Sequence, residues 1–231
     1  MIERYTRPEM GHLWSIQNEW QTILNVEIAA CEAMAELGEI PTAAVENIKK
    51  NARFDVARIN EIEKTTDHDI IAFLTNLEEN VGEDSKYIHK GLTSSDVKDT
   101  AYCVMMRDAA AIILGDLRAF REVLRRRAEE FRHTPCIGRT HGIHAEPMTF
   151  GLKLLLWSAE IERDIERLTR AKEIVSVGKL SGAVGTYSNI DPRIEELTCK
   201  KLGITPVRLA TQVIQRDRHA EFVTTLAIIA G

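Results

Sequence analysis

Two histidines three residues apart, His141 and His144, stand among Arg139, Gly142 and Glu146 in a stretch bounded by Gly138 and Pro147. Histidine changes charge near neutral pH and can hand a proton to a leaving group, so one chemistry open to this pair is acid–base catalysis. A second is metal binding, which the surroundings disfavour: the H-E-x-x-H helical pattern is missing, and no further His or Cys pair lies nearby in sequence. A third is a structural histidine in a turn. Thr93, Ser94 and Ser95 supply three hydroxyls just before a long apolar-periodic segment. At a helix start they either cap the unpaired N–H groups or leave those groups, with the macrodipole, to hold a carboxylate or phosphate. The break at 63–69 sets Asp67, His68 and Asp69 side by side, and 178–187 is rich in Gly, Ser and other small residues. The latter lacks the Gly-Lys-Ser/Thr closure of a phosphate loop and the strand-then-helix setting of a dinucleotide fingerprint. It reads as backbone that approaches a ligand or a neighbouring chain closely. Arg4-Tyr5 pairs a guanidinium with a phenol, a combination that serves either as an anion grip or as an ordinary surface arm.

Long helices must position these breaks. Only 13 Gly and 6 Pro occur in 231 residues, so turns are few. Ala101, Val104, Met105, Ile112, Ile113, Leu117, Phe120 and Leu124 step by three and four and predict a helix from about Ser95 to Arg132. Asp96 and Asp99 fall in its first turns and Arg125-Arg126-Arg127 towards its far end, each matching the macrodipole. At about 1.5 Å per residue this rod exceeds ~50 Å, more than a compact single-chain domain needs. A second long helix is expected to open on Pro147 and run to about Ile174 along Met148, Leu152, Leu155, Leu156, Ala159, Ile165 and Leu168. Shorter helices are predicted over 19–37 (closed by Gly38 and Pro41), 42–51, 56–63 and 69–80. Another is capped by Asp191-Pro192 and stopped by Gly203, and a last one starts near Asp217. Its stripe of Phe222, Val223, Leu226 and Ile229 reaches Gly231 and reads as a helix that continues in a larger protein, with a C-cap at Gly231 as the alternative. The fold class expected is all-α.

Composition narrows the function. With 44% hydrophobic and 28% charged residues the chain is globular, and a net charge of −5 disfavours a broad nucleic-acid footprint. The four cysteines, Cys31, Cys103, Cys136 and Cys199, are too dispersed for a zinc cluster and read as free thiols of a reducing cytoplasm. The polar N-terminus is no signal peptide, and no apolar run approaches the ~20 residues of a membrane span. A soluble cytoplasmic protein is expected, with no membrane or nucleic-acid partner.

Six segments occur in order: Ile2-Glu3-Arg4-Tyr5, Thr66-Asp67-His68-Asp69, Gly91-Leu92-Thr93-Ser94-Ser95-Asp96, the 138–147 stretch, Ser181-Gly182-Ala183-Val184-Gly185-Thr186-Tyr187, and 212–218. Together they resemble the fumarase/aspartase superfamily, along the whole chain. Gly142-Ile143 follows His141 where fumarases and argininosuccinate-cleaving members typically carry Leu-Gln; this is similar to the branch that cleaves adenylosuccinate. The resemblance implies an N-terminal helical domain over 1–90. It makes 91–231 the first part of a central long-helix bundle, built in a homotetramer whose active sites combine residues from several subunits. It implies reversible β-elimination of fumarate from adenylosuccinate, giving AMP, and from succinylaminoimidazole carboxamide ribotide, with no metal or organic cofactor. It implies His141 as the acid that protonates the departing nitrogen, supported by His68. Thr93 and Ser94 would hold a succinyl carboxylate and Arg4 and Tyr5 the phosphate end. Asp67, His68, Asp69, Gln212 and Arg216 would be further substrate contacts, His89, Lys90 and Thr140 weaker ones, and His144 structural. The family's flexible loop, Gly-Ser-Ser-x-Met-Pro-x-Lys-x-Asn-Pro, which carries the serine base, has no counterpart in these residues, so the 231-residue piece alone is expected to be nearly inactive. Two alternatives stand beside this: a non-catalytic helical assembly module derived from a lyase, and another fumarate-releasing lyase, such as one acting on argininosuccinate. A plain coiled coil fits less well, because polar Gly-bearing breaks interrupt the rods.

Overall fold

The computed structural model describes residues 2–231. In chain order the helices are α1 (Pro8–Leu13), α2 (Ile16–Glu36), α3 (Thr42–Asn51), α4 (Val56–Thr66), α5 (Asp69–Val81), α6 (Ser94–Glu130), α7 (Phe150–Val175), α8 (Pro192–Leu202) and α9 (Asp217–Ala230). The strands are short: β1 (Pro135–Thr140), β2 (Ile143–Thr149), β3 (Val177–Gly178) and β4 (Thr205–Pro206). This is the all-α architecture expected. Two compact units emerge. The first runs through Asp108 and resumes with Val175–Arg216; the second comprises Ala109–Ile174 and Asp217–Gly231.

In the first unit, α2 starts where the Ser15 hydroxyl accepts the Asn18 N–H at 3.2 Å. It stops at Gly38, whose φ of +76° lets Glu39 N–H reach the Met34 carbonyl and its own N–H the Ala35 carbonyl, a Schellman closure. The apolar stripe between these signals is buried: Trp20, Ile23, Val26, Ala30, Met34. It meets the inner faces of α3, α4, α5 and α8 through Ile48, Ile59, Ile70, Phe73, Leu77 and Ile194. Phe73 stacks on Trp20 at 4.9 Å between centroids and meets Phe54 edge-on at 5.9 Å. Asp191 caps α8 by accepting from Arg193 N–H, and Gly203 ends it at φ +67°. The break expected at 63–69 narrows to Asp67 and His68, because α4 continues through Thr66 and ends on Asp67 in the left-handed region, φ +49°.

In the second unit a hairpin replaces the irregular break expected around His141. Thr140 pairs with Ile143, so His141 and Gly142 form a two-residue loop, with φ of +52° and +75°. Both values are positive, as the twist-matching hairpin turn requires, and glycine at the second position meets that demand at no steric cost. The register slips at Gly138, where a Cβ would stand 2.9 Å from the Glu146 carbonyl. The expectation that a helix opens on Pro147 is corrected. Pro147 lies in β2 opposite Ile137, and α7 begins at Phe150, its first turn capped by Thr149 Oγ1, which accepts from Leu152 N–H at 3.2 Å. Phe150 packs with Phe131 on the cluster of Leu124, Ala128 and Leu154. Leu152, Leu155, Leu156 and Trp157 of α7 remain exposed, as do Phe120 and Val123 of α6.

Candidate active site

The first two turns of α6 act as a post to which several chain segments are tied, all within the first unit. Thr93 immediately precedes the helix; its carbonyl accepts Asp96 N–H and its own N–H donates to Asp96 Oδ2, both at 2.9 Å. This is one half of a capping box, with Asp in the usual Glu position. Asp96 also accepts from Ser181 N–H (3.2 Å), Gly182 N–H (3.1 Å) and the Lys179 ammonium, which draws the small-residue segment against the helix start. One turn on, Thr100 Oγ1 accepts from Lys179 N–H at 3.0 Å and donates to its carbonyl at 3.1 Å. Lys98 donates to Asp69, tying the start of α5 to the same turns. Asp99 accepts from Ile214 N–H at 2.8 Å and takes Arg216 in a two-pronged pair at 3.0 Å each.

The predicted residues fall into place as follows. His68 caps α5, its Nδ1 accepting from Ile71 N–H at 3.3 Å. That bond assigns the neutral ring to the Nε2–H tautomer and leaves Nε2 for a ligand. Burial would raise the Asp69 carboxyl, but the Lys98 hydrogen bond, the Ile70 N–H and the Lys98 charge outweigh it and hold it below the ordinary range. Asp67, His68, Asp69, Thr93, Ser94 and Arg216 thus belong to segments gathered at one helix end. The Arg216 guanidinium is already engaged by Asp99. Gln212 is exposed in the stretch before α9, two residues from the tethered Ile214. Arg4 and Tyr5 lie exposed on a single 3-10 turn, the guanidinium 4.9 Å from the phenol centroid. His141 belongs to the second unit, exposed at the hairpin tip, and His144 faces Arg139 across the ladder. Among the described residues no group of three or more His, Cys, Asp or Glu is placed to hold a metal ion. Nor, among the described residues, is any helix long and apolar enough to cross a membrane.

Three buried polar pairs went unrecognised in the sequence. Asp96 and Lys179 are both fully buried. Glu195 accepts from Leu180 N–H at 2.7 Å and from the Tyr187 hydroxyl at 2.8 Å; burial pushes its carboxyl up against these bonds. Glu27, fully buried in α2, accepts His89 N–H at 3.0 Å and pairs with its Nδ1 at 2.5 Å, fixing His89 at φ +64°. The neighbouring Gly91 has no alternative: its φ is +75°, and a Cβ would stand 2.2 Å from the Asn189 carbonyl oxygen. Pair and glycine together set the path of the loop into Thr93. Only a signal linking positions far apart in the chain, such as 27 with 89 or 96 with 179, could have revealed these pairs.

Burial alone would lower the His89 imidazole, but the hydrogen bond and charge of Glu27 and the charge of Asp96 raise it above its ordinary 6.5. A cation held more tightly in the folded state stabilises fully below the unfolded pKa, and that stabilisation is lost as pH rises through the folded pKa. The melting-temperature gap between wild type and Glu27→Gln is therefore expected to be larger at pH 6 than at pH 9. A gap that does not change with pH would remove the ion pair from the account.

The chain matches the family model described as "Lyase" over residues 3–231 and belongs to that family of lyases, within the fumarase/aspartase superfamily. It is 52% identical over 230 residues to adenylosuccinate lyase of Bacillus subtilis, covering all of this chain and 53% of the relative. It is 54% identical over 231 residues to adenylosuccinate lyase of Synechocystis, covering all of this chain and 54% of the relative. The chain thus spans about half the length of the curated relatives it matches. Among solved structures, a fumarate lyase from Mesorhizobium aligns with a TM-score of 0.91 at 29% identity, over 98% of this chain and 55% of the other. A β-carboxy-cis,cis-muconate cycloisomerase from Acinetobacter calcoaceticus gives 0.88 at 28% identity, over 96% and 54%.

Proposed function

We propose that these residues form part of a lyase that eliminates fumarate from adenylosuccinate, leaving AMP, and from the related succinylated aminoimidazole carboxamide ribotide. The observation that carries the reading is the arrangement around the start of α6. There the 67–69 segment, Thr93-Ser94 and the 214–216 segment are tied to one helix end, in a chain half identical to adenylosuccinate lyases over its whole length.

In this reading a base takes the proton from the carbon beside a succinyl carboxylate, and that carboxylate becomes an aci-carboxylate carrying two negative charges. The C–N bond then breaks as the C=C bond of fumarate forms, and the departing nitrogen receives a proton from His141. Thr93 and Ser94 hold a succinyl carboxylate, where the helix N–H groups and their partial positive charge match it. Donors fixed in advance stabilise the doubly charged intermediate without reorganising. Asp67, His68, Asp69, Gln212 and Arg216 contact substrate, Arg4 and Tyr5 grip the phosphate, and Asp99 orients Arg216. The working form is a homotetramer. The exposed Leu152, Leu155 and Leu156 of α7 and Phe120 and Val123 of α6 are apolar faces that copies of the chain would cover. A reducing cytoplasm suits the free thiols of Cys31, Cys103 and Cys199, all buried.

The test is fumarate release by the complete product of the gene, given adenylosuccinate, with argininosuccinate and malate as controls. Release from adenylosuccinate alone is expected. Release from argininosuccinate instead would transfer the reading to that branch, and a folded tetramer that releases nothing would favour the assembly module.

A further inference from the structure

We infer that Lys179 is a positioning residue for the substrate carboxylate: it cancels the buried charge of Asp96 and so lets the first turn of α6 accept an anion. The inference deepens the lyase reading above and rests on it.

Asp96 sits in the first turn of α6, fully buried, with Oδ2 2.9 Å from Thr93 N. A bare carboxylate there would oppose any anion brought to Thr93 and Ser94. The helix start offers roughly half a positive charge, and one full negative charge at that distance outweighs it. Water cannot screen a group with no exposed surface. Lys179, equally buried, donates to Asp96 Oδ1 and to the Gly182 carbonyl, the latter at 2.8 Å. His89, Glu195 and Tyr187 also feel the Asp96 charge. His89 is held by Glu27, and Tyr187 donates its hydroxyl to Glu195. Lys179 is the buried cation in direct contact with the Asp96 carboxylate. The same contact holds Ser181 and Gly182 against the helix through their N–H groups, so charge balance and loop placement have one origin.

A purely structural pair and a charge-balancing pair differ in the sign of their effects. In the complete gene product, Lys179→Met leaves a buried anion beside the carboxylate site and is expected to raise KM for adenylosuccinate about tenfold or more. Asp96→Asn keeps an acceptor for Thr93 N–H but leaves a cation, so KM stays level or falls. The double variant removes both charges and returns KM to within about threefold of wild type. Both single variants melt at lower temperature than wild type, since each leaves a buried charge unpaired. An unchanged KM in Lys179→Met, or the same rise in both single variants, would overturn the inference while leaving the lyase reading in place. Should Lys179→Met fail to fold, the double variant decides: KM near wild type supports the inference, and a tenfold rise overturns it. A wild-type product that releases no fumarate from adenylosuccinate overturns the lyase reading itself and is seen before any variant is compared.

Discussion

In the complete gene product, His141→Gln is expected to lower turnover about 10²–10⁴-fold while leaving the fold intact, the range typical of a lost general acid. The hairpin explains why the fold should survive. His141 occupies the first position of a two-residue turn whose second is Gly142, and its ring is exposed. Glutamine retains a polar side chain but has no proton to give. The left-handed backbone at φ +52° disfavours glutamine more than histidine. His141→Asn is the matching control, because asparagine enters that region more readily and separates backbone strain from lost proton transfer. Both variants should lose turnover together, with melting temperatures near wild type. Near-normal turnover in either would remove His141 from the acid role. A loss seen only in the glutamine variant would assign the effect to the turn.

The largest effect on stability is expected from Phe73→Ala, a loss of about 3–5 kcal/mol. Phe73 is fully buried, stacked on Trp20 with an interplanar angle of 17° and edge-on to Phe54. Truncation removes the transfer energy of a ring and leaves a space that helices capped at both ends cannot close. Set against the ~5–15 kcal/mol that holds a typical domain together, such a loss moves the unfolding midpoint in denaturant by a large fraction. Urea unfolding followed by tryptophan fluorescence would measure it, the slope of the transition serving as the check that compactness has not changed. A loss below about 1 kcal/mol would mean the aromatic trio is not the keystone of the first unit. A smaller deletion at the edge of the same core, Val81→Ala, should cost less.

The helices were legible in the sequence wherever their end signals are local. The expected 42–51 helix coincides with α3, and Asp191-Pro192 and Gly203 bound α8 at the expected positions. The ~37-residue rod follows from its apolar period and appears as α6, about 55 Å long at 1.5 Å per residue. Capping, φ restriction by proline and positive φ at glycine act within a few residues, so a reader of the chain can find them. The hairpin at His141 was not legible. Its turn is His-Gly rather than Asn-Gly or Asp-Gly, and Pro147 is as good a helix opener in sequence as it is a strand-edge residue in the structure. Pairing with Ile137, ten residues away, decided between the two.

The site divides in the same way. The residue types were legible: hydroxyls before α6, the histidine beside Asp67 and Asp69, the histidine beside Gly142. Their settings were not. That Asp99 holds Arg216 and that Lys98 and Lys179 neutralise carboxylates far away in the chain follows from which segments the fold brings together, and in the Asp96–Lys179 pair both charges are fully buried. The amino-acid sequence by itself determined where helices begin and end and which side chains able to move protons or hold anions lie in the breaks. The tertiary structure alone decided which charges are buried and therefore must be paired, because desolvation depends on everything packed around a group and not on its neighbours in the chain.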